Sequence, residues 1–141
     1  MKFPLFLLAA SVALPVAAND QRQLAPLPEP AQQTLRQEML DNLIALNEIV
    51  ALLAEDKLPA AGEIAETRLG RSAMGKNAAL PVEARPGPQM PRAMHAVAID
   101  GHLAASAFAE AATAGDRPLA MRRLADVTGT CVACHAAYRI R

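Results

Sequence analysis

Two cysteines and a histidine lie close together near the carboxyl end of the chain. The segment reads Cys131-Val132-Ala133-Cys134-His135, and the chain has no other cysteine. At about 100° per helical residue, Cys134 lies roughly 60° to one side of Cys131 and His135 roughly 40° to the other, so all three project from one helix face. Two thiols with an adjacent imidazole are the attachment pattern of c-type haem. The segment therefore predicts one haem c, held covalently by Cys131 and Cys134, with His135 as the proximal iron ligand.

Three other kinds of site use a similar pair of cysteines. A structural zinc ion needs four ligands, and His95 and His102 would have to complete the set from far upstream. A thioredoxin-like redox pair lies at the start of a helix that follows a strand, whereas this pair ends a long helical pattern. A structural disulfide would close so small a loop that it would constrain the unfolded chain very little. Haem attachment is therefore the favoured interpretation.

The amino-terminal residues have the pattern of a secretory signal peptide. Lys2 precedes an apolar run over residues 3–16, and Val16-Ala17-Ala18 forms a small-residue cleavage site. The run is short for a bilayer span. We expect a signal peptide over residues 1–18 and a periplasmic domain over residues 19–141, without a membrane segment after cleavage. Export agrees with a haem attached at Cys131-Val132-Ala133-Cys134-His135, a segment that we call the haem motif, because bacteria complete covalent haem attachment outside the inner membrane.

The composition is typical of a helical protein with a core of small side chains. Hydrophobic residues make up 52% of the chain but aromatic residues only 3%, and the β-branched runs of a sheet protein are missing. The formal net charge at pH 7 is 0, which gives no sign of a nucleic-acid partner. A catalytic triad could be assembled from Ser106, His102 and Asp126. The sequence has neither the nucleophile elbow nor the strand that a hydrolase triad needs, so we expect that the protein is not an enzyme.

Four stretches with helical periodicity lie between breaks rich in proline and glycine. They run from Pro30 to Leu58, from Pro59 to Gly75, from Pro91 to Ala114, and from an Asp116 cap through the haem motif. The inward positions predicted for the first are Leu35, Met39, Leu43, Leu46, Val50 and Leu53, and for the last Leu124, Val127, Cys131 and Cys134. Residues 76–90 are predicted to form a surface loop. The pattern predicts an all-α, antiparallel four-helix bundle with one covalently attached haem.

Two segments of the chain together resemble the class II c-type cytochromes of the cytochrome c-prime kind. The haem motif is followed by Ala136-Ala137-Tyr138-Arg139, and the first helix contains Arg36-Gln37. The resemblance covers essentially the whole domain, although the middle matches only in helical pattern and length. It implies electron transfer with a periplasmic redox partner protein, binding of NO or CO, or both. Members of this family often form homodimers through their first two helices.

The resemblance also assigns roles to residues around the haem. It places Arg36 and Gln37 beside the haem, and Arg139 where a guanidinium faces a propionate or the proximal histidine. The residue four beyond the first arginine is Leu40, which then covers the open side of the iron. Because leucine cannot donate to iron, the expected centre is five-coordinate and open to small gases.

Met39 is the alternative candidate for the distal position. It precedes Leu40 by one residue, so a helix rotation of about 100° would present its thioether to the iron. Such ligation would give a six-coordinate electron carrier, although Met39 also fits the inward stripe as a core residue. His95 and His102 fit either a distal role or, more simply, a polar edge of the third helix.

Overall fold

Helices make up most of the chain that the structure describes. The structure, a computed structural model, describes residues 20–141, so the predicted signal peptide lies outside the described residues. Its α-helices are α1 (Glu29–Ala54), α2 (Leu58–Ile64), α3 (Pro86–Gln89), α4 (Arg92–Thr113) and α5 (Arg117–Ala137). None of the helices in this range combines the length and the apolar character needed to cross a bilayer. The predicted all-α fold class is confirmed.

The boundaries of α4 and α5 follow the local signals in the sequence. Gly115, at φ 73°, forms the tight turn that links the two helices, because glycine adopts this conformation without strain. The Asp116 side chain then accepts a hydrogen bond of 2.9 Å from the Leu119 N–H and caps α5. Further along the pair, Gly101 of α4 lies against Thr130 of α5. The two helices therefore form a hairpin that brings the haem motif back along α4.

The structure corrects two predicted boundaries. α1 ends at Ala54 rather than at Leu58, because Asp56 adopts a positive φ of 60° and the Lys57 N–H returns to the Leu52 carbonyl at 2.8 Å. Residues 76–90 are not all loop: they contain a 3-10 turn and α3. Proline at the first position of α3 is compatible with a helix start, since that position donates no intrahelical hydrogen bond.

The second predicted helix is irregular. Helix α2 continues directly into a π-helical turn over Ala65–Leu69, and a 3-10 turn over Arg71–Ala73 follows the break at Gly70. The Gly70 N–H donates to the Ala65 carbonyl at 2.8 Å, which is the wide spacing of a π-turn. The sequence indicated a weak helix here, with glycines inside it, but not its widened turn.

Buried side chains form two clusters. The main cluster joins α1, α2, α4 and α5 around Ile49 and Phe108, which are almost fully buried, and more than half of its buried members are alanine. The second, which we call the tail cluster, consists of Ala25, Leu27, Ala31, Leu35 and Met94, with Met90, Cys134, Tyr138 and Ile140 packed against it. Small side chains let the helices of the main cluster approach closely. The tail cluster connects the two ends of the described chain to α4.

The predicted inward stripe of α1 is wrong at its centre. Leu35 and Leu53 are buried at the two ends, but Met39, Leu43 and Val50 are exposed. The buried positions between the ends are instead Ala45 and Ile49. α1 is apolar on more than one side, and the side with Ile49 and Leu53 shares the main cluster with α2.

Two short strands join the ends of the described chain. Strand β1 (Gln23–Leu24) pairs in parallel with strand β2 (Tyr138–Arg139), with Gln23 opposite Tyr138. The Ala25 N–H extends the pairing by donating to the Arg139 carbonyl at 2.8 Å. The sequence did not predict this pairing, because two residues are too few to show a strand period.

Close packing of α2 on α4 predicts opposite effects for two helical glycines. A Cβ at Gly62 would lie 2.9 Å from the Ala112 Cβ, whereas a Cβ at Gly129 would meet nothing within 4 Å. Gly62→Ala should therefore lower the free energy of unfolding by about 1–3 kcal/mol through overpacking. The matched control Gly129→Ala should raise it by roughly 0.5–1 kcal/mol. Urea unfolding followed by circular dichroism measures both, and equal shifts for the two variants would contradict this account of the packing.

Candidate haem site

The haem motif forms the last turns of α5. Cys131 and His135 are exposed and Cys134 is half-buried. Neither cysteine is in a disulfide, and the Cys131 thiol donates to the Val127 carbonyl at 3.5 Å. The structure therefore keeps both thiols and the imidazole in the pattern that the sequence predicts, as three groups on one helical segment.

Cys131 is exposed even though it occupies an inward position of α5. Val127 lies one turn earlier on the same side of the helix and is only 6% exposed. Cys134, in the next turn, is half-buried against the tail cluster. The prediction that Cys131 packs inward is thus wrong. Packing stops over one turn of α5, and the gap lies at the first thiol of the motif.

A strip of large apolar side chains on α1 is also uncovered. Its members, which we call the α1 strip, are Met39, Leu40, Leu43, Ile44 and Val50. Half of the exposed large hydrophobic residues in the described range belong to it, and Leu40 is 51% exposed. An uncovered apolar surface of this kind is typical of a binding surface. Both candidates for the distal position, Leu40 and Met39, lie in the strip.

Arg36 and Gln37 make different contacts. The Arg36 guanidinium donates to the backbone carbonyl of Arg141 and, at 3.4 Å, to the side chain of Gln32. Gln37 is exposed and donates to Asp41 at 2.9 Å, along its own helix. The structure therefore brings Arg36 to the segment that follows the haem motif, whereas the hydrogen bond of Gln37 stays within α1.

Arg139 carries a buried donor that has no hydrogen-bond partner among the described residues, its Nε. The nearest carboxylate oxygen, Oδ2 of Asp20, is 3.5 Å away. Asp20 forms an ion pair with Arg139 across this distance and is also bound by Arg22, whose hydrogen bonds hold the pKa of Asp20 at about 2. A buried N–H of a guanidinium normally has an acceptor. The unsatisfied donor is suited to an anionic group such as a propionate.

The surroundings of Cys134 are apolar. It packs against the tail cluster, which contains Leu35 of α1 and Met94 of α4. Burial raises the pKa of the Cys134 thiol, and the neighbouring Cys131 adds to the effect. The chemistry of the two thiols, the imidazole and the Arg139 guanidinium suits a haem, which is largely apolar but carries two carboxylates.

The two histidines of α4, His95 and His102, have contacts with other parts of the fold. His102 donates through Nδ1 to the Leu69 carbonyl at 2.7 Å and lies 3.1 Å from the Gly70 carbonyl, so it caps the π-turn. His95 is exposed on α4 and lies near Gly87. Within residues 20–141, no three side chains of the types His, Cys, Asp and Glu converge in a way that could hold a metal ion. His102 is therefore a structural residue in this fold.

Ser106 belongs to a network that fixes the π-turn on α4. Its hydroxyl donates to Glu66 at 2.5 Å and accepts a hydrogen bond of 2.9 Å from the Arg71 backbone. Ser72 donates to the same carboxylate, and these hydrogen bonds lower the pKa of Glu66. Asp126 pairs with Arg123 elsewhere on α5. The structure thus does not bring Ser106, His102 and Asp126 together as a triad.

The sequence analysis did not predict the contacts between the amino-terminal segment and the site. Ala25 and Leu27 are buried in the tail cluster, against which Cys134 packs, and the Leu27 carbonyl accepts a hydrogen bond of 2.8 Å from Gln32. The only signal was the alternation of prolines over residues 26–30, which indicates a stiff, extended segment.

The chain matches no protein-family model, no curated protein and no solved structure.

The Glu66 network predicts an acid-sensitive fold. Because the folded-state pKa of Glu66 is lowered, its carboxylate stabilises the fold above the ordinary carboxyl pKa, and this stabilisation is lost as the pH falls. Between about pH 5 and pH 3, the unfolding free energy should fall more for the unmodified protein than for Glu66→Gln. Urea titrations at both pH values measure the difference. Glu63→Gln, at an exposed site on α2, is the control, and it should leave the pH dependence unchanged.

Proposed function

We propose that the chain is a periplasmic c-type haem protein built as an antiparallel four-helix bundle. Cys131 and Cys134 would hold the haem covalently, and His135 would be the proximal ligand. The observation that carries this proposal is the gap at Cys131, where packing along α5 stops beside a free thiol pair and an exposed imidazole. The α1 strip supports it, since a covering group would remove exposed leucine and isoleucine side chains from water.

Each residue of the site has a distinct task in this proposal. The thiols of Cys131 and Cys134 fix the group to α5, so its position does not depend on binding equilibrium. The unpaired Nε of Arg139 would donate to a propionate. Arg36, which already holds the Arg141 carbonyl, would keep the carboxyl-terminal segment against α1.

Small-gas binding and electron transfer both remain compatible with such a centre. Bound haem would supply an iron that exchanges one electron and can take up NO or CO. Leu40 offers only hydrocarbon, so it would leave the sixth position free and would disfavour charged or strongly hydrated ligands. Met39 is the alternative, and its thioether would occupy the position and leave electron transfer with a periplasmic partner as the function.

Covalent attachment is the first expected outcome. The purified protein should have the mass of residues 19–141 plus one haem, and the pigment should stay with the polypeptide through acid and organic extraction. Cys131→Ala or Cys134→Ala should weaken attachment, and His135→Ala should change the absorption spectrum of the iron most. His95→Ala, at an exposed histidine of α4, is the matched control and should change neither. Transfer of all colour to the organic layer would reject the proposal.

The identity of the distal residue gives a second expected outcome. The reduced protein should be high-spin, and carbon monoxide should shift its absorption spectrum. Leu40→Ala should speed carbon monoxide binding, because a side chain that blocks access is shortened. Val50→Ala, in the same strip, is the control and should leave the rate nearly unchanged. A low-spin reduced spectrum that Met39→Ala abolishes would instead identify Met39 as the sixth ligand and favour electron transfer.

A further inference from the structure

The end of α5 is a position at which a helix would ordinarily fray. His135 is two residues from the end of α5, and α5 ends at Ala137. The last carbonyl groups of a helix lack intrahelical partners, and terminal turns open readily unless other parts of the chain hold them. A ligand on this turn needs a fixed orientation, so something outside α5 must hold the turn in place.

The amino-terminal segment, residues 20–27, makes the contacts that hold the last turn of α5 in place. Leu24 lies opposite Arg139 in the parallel pair, and the Ala25 N–H donates to the Arg139 carbonyl at 2.8 Å. Ala25 and Leu27 are 2% and 5% exposed. Both are members of the tail cluster, against which Cys134 and Tyr138 pack.

A second set of contacts fixes the segment itself to α1. Gln32 is buried, and its side-chain amide donates to the Leu27 carbonyl at 2.8 Å. The Gln32 N–H also donates to the Pro28 carbonyl at 3.0 Å. The segment therefore connects two elements that lie far apart along the chain, the start of α1 and the end of α5.

We propose that residues 20–27 are a strap that closes over the end of α5 and controls access to Cys134. With the strap in place, Cys134 is covered on the side of the tail cluster while Cys131 stays open. When the strap is released, Arg139 loses its backbone partner directly after α5, and the last turn of α5 loses its apolar cover. The role of the strap in exposing Cys134 for haem attachment rests on the proposed function, whereas the closure of α5 does not.

Hydrogen exchange of the purified protein tests the closure. Leu27→Ala should raise the exchange rates of the amides of residues 134–139 at least about tenfold more than those of α4, because it removes buried cover from one cluster only. Leu58→Ala is the matched control: it shortens an equally buried leucine of the main cluster. It should raise exchange without selecting residues 134–139. The same pattern of exchange in both variants would overturn the proposal.

A milder variant keeps the test decisive if Leu27→Ala does not fold. Gln32→Ala removes the hydrogen bond to the Leu27 carbonyl and should raise exchange at residues 134–139 selectively, by roughly threefold. Unchanged exchange in this variant would count against the strap. The mass of the same samples reports haem separately. If residues 134–139 exchange selectively but the protein carries no haem, only the proposed function is rejected. If the protein carries haem but these residues do not exchange selectively, only the strap is rejected.

Alkylation of the thiols tests the control of access. The full chain, produced in cells that lack the haem-attachment machinery, should react with iodoacetamide more slowly at Cys134 than at Cys131. Leu27→Ala should bring the two rates together by accelerating Cys134, while Leu58→Ala should not. Equal rates for both thiols in the unmodified chain would overturn the control of access.

Discussion

Close packing of α5 on α4 is the interaction on which the position of the haem motif depends. α5 has few buried side chains of its own: Ala120 and Val127 are its only fully buried residues in the described structure. It is held because α4 offers a surface of alanines and Phe108, and because Gly101 lets Thr130 come near. One turn beyond Val127, at Cys131, the side chain on the same side of α5 is exposed, and the haem motif begins there.

Local signals in the sequence were sufficient where one residue determines one feature. Asp116 could be predicted as a cap because its side chain satisfies a nearby N–H, and Gly115 as a turn because of its backbone freedom. The haem interpretation of residues 131–135 rests on adjacent residues in the same way, and it stays a prediction. In each case the partners are within a few positions of each other.

Features that join distant residues could not be predicted in the same way. The pairing of Gln23 with Tyr138 leaves no trace in either short segment. The buried side of α1 was mistaken because the helix has apolar residues on several sides, and periodicity does not tell which side is covered by protein. Met39 and Leu43 follow the stripe as well as Leu35 does, yet only Leu35 meets a neighbouring element. The distal residue depends on the same orientation, which explains why sequence alone left two candidates.

The parallel pairing of β1 with β2 also determines how the molecule would respond to mechanical force. The two strands run in the same direction, so tension between residues 20 and 141 pulls them past each other along their length. Force applied in this way loads the hydrogen bond from Ala25 to Arg139 in shear, together with its neighbours, rather than opening the contacts one after another. The short pair at the termini therefore carries this tension from the start, together with the hydrogen bond from Arg36 of α1 to the Arg141 carbonyl.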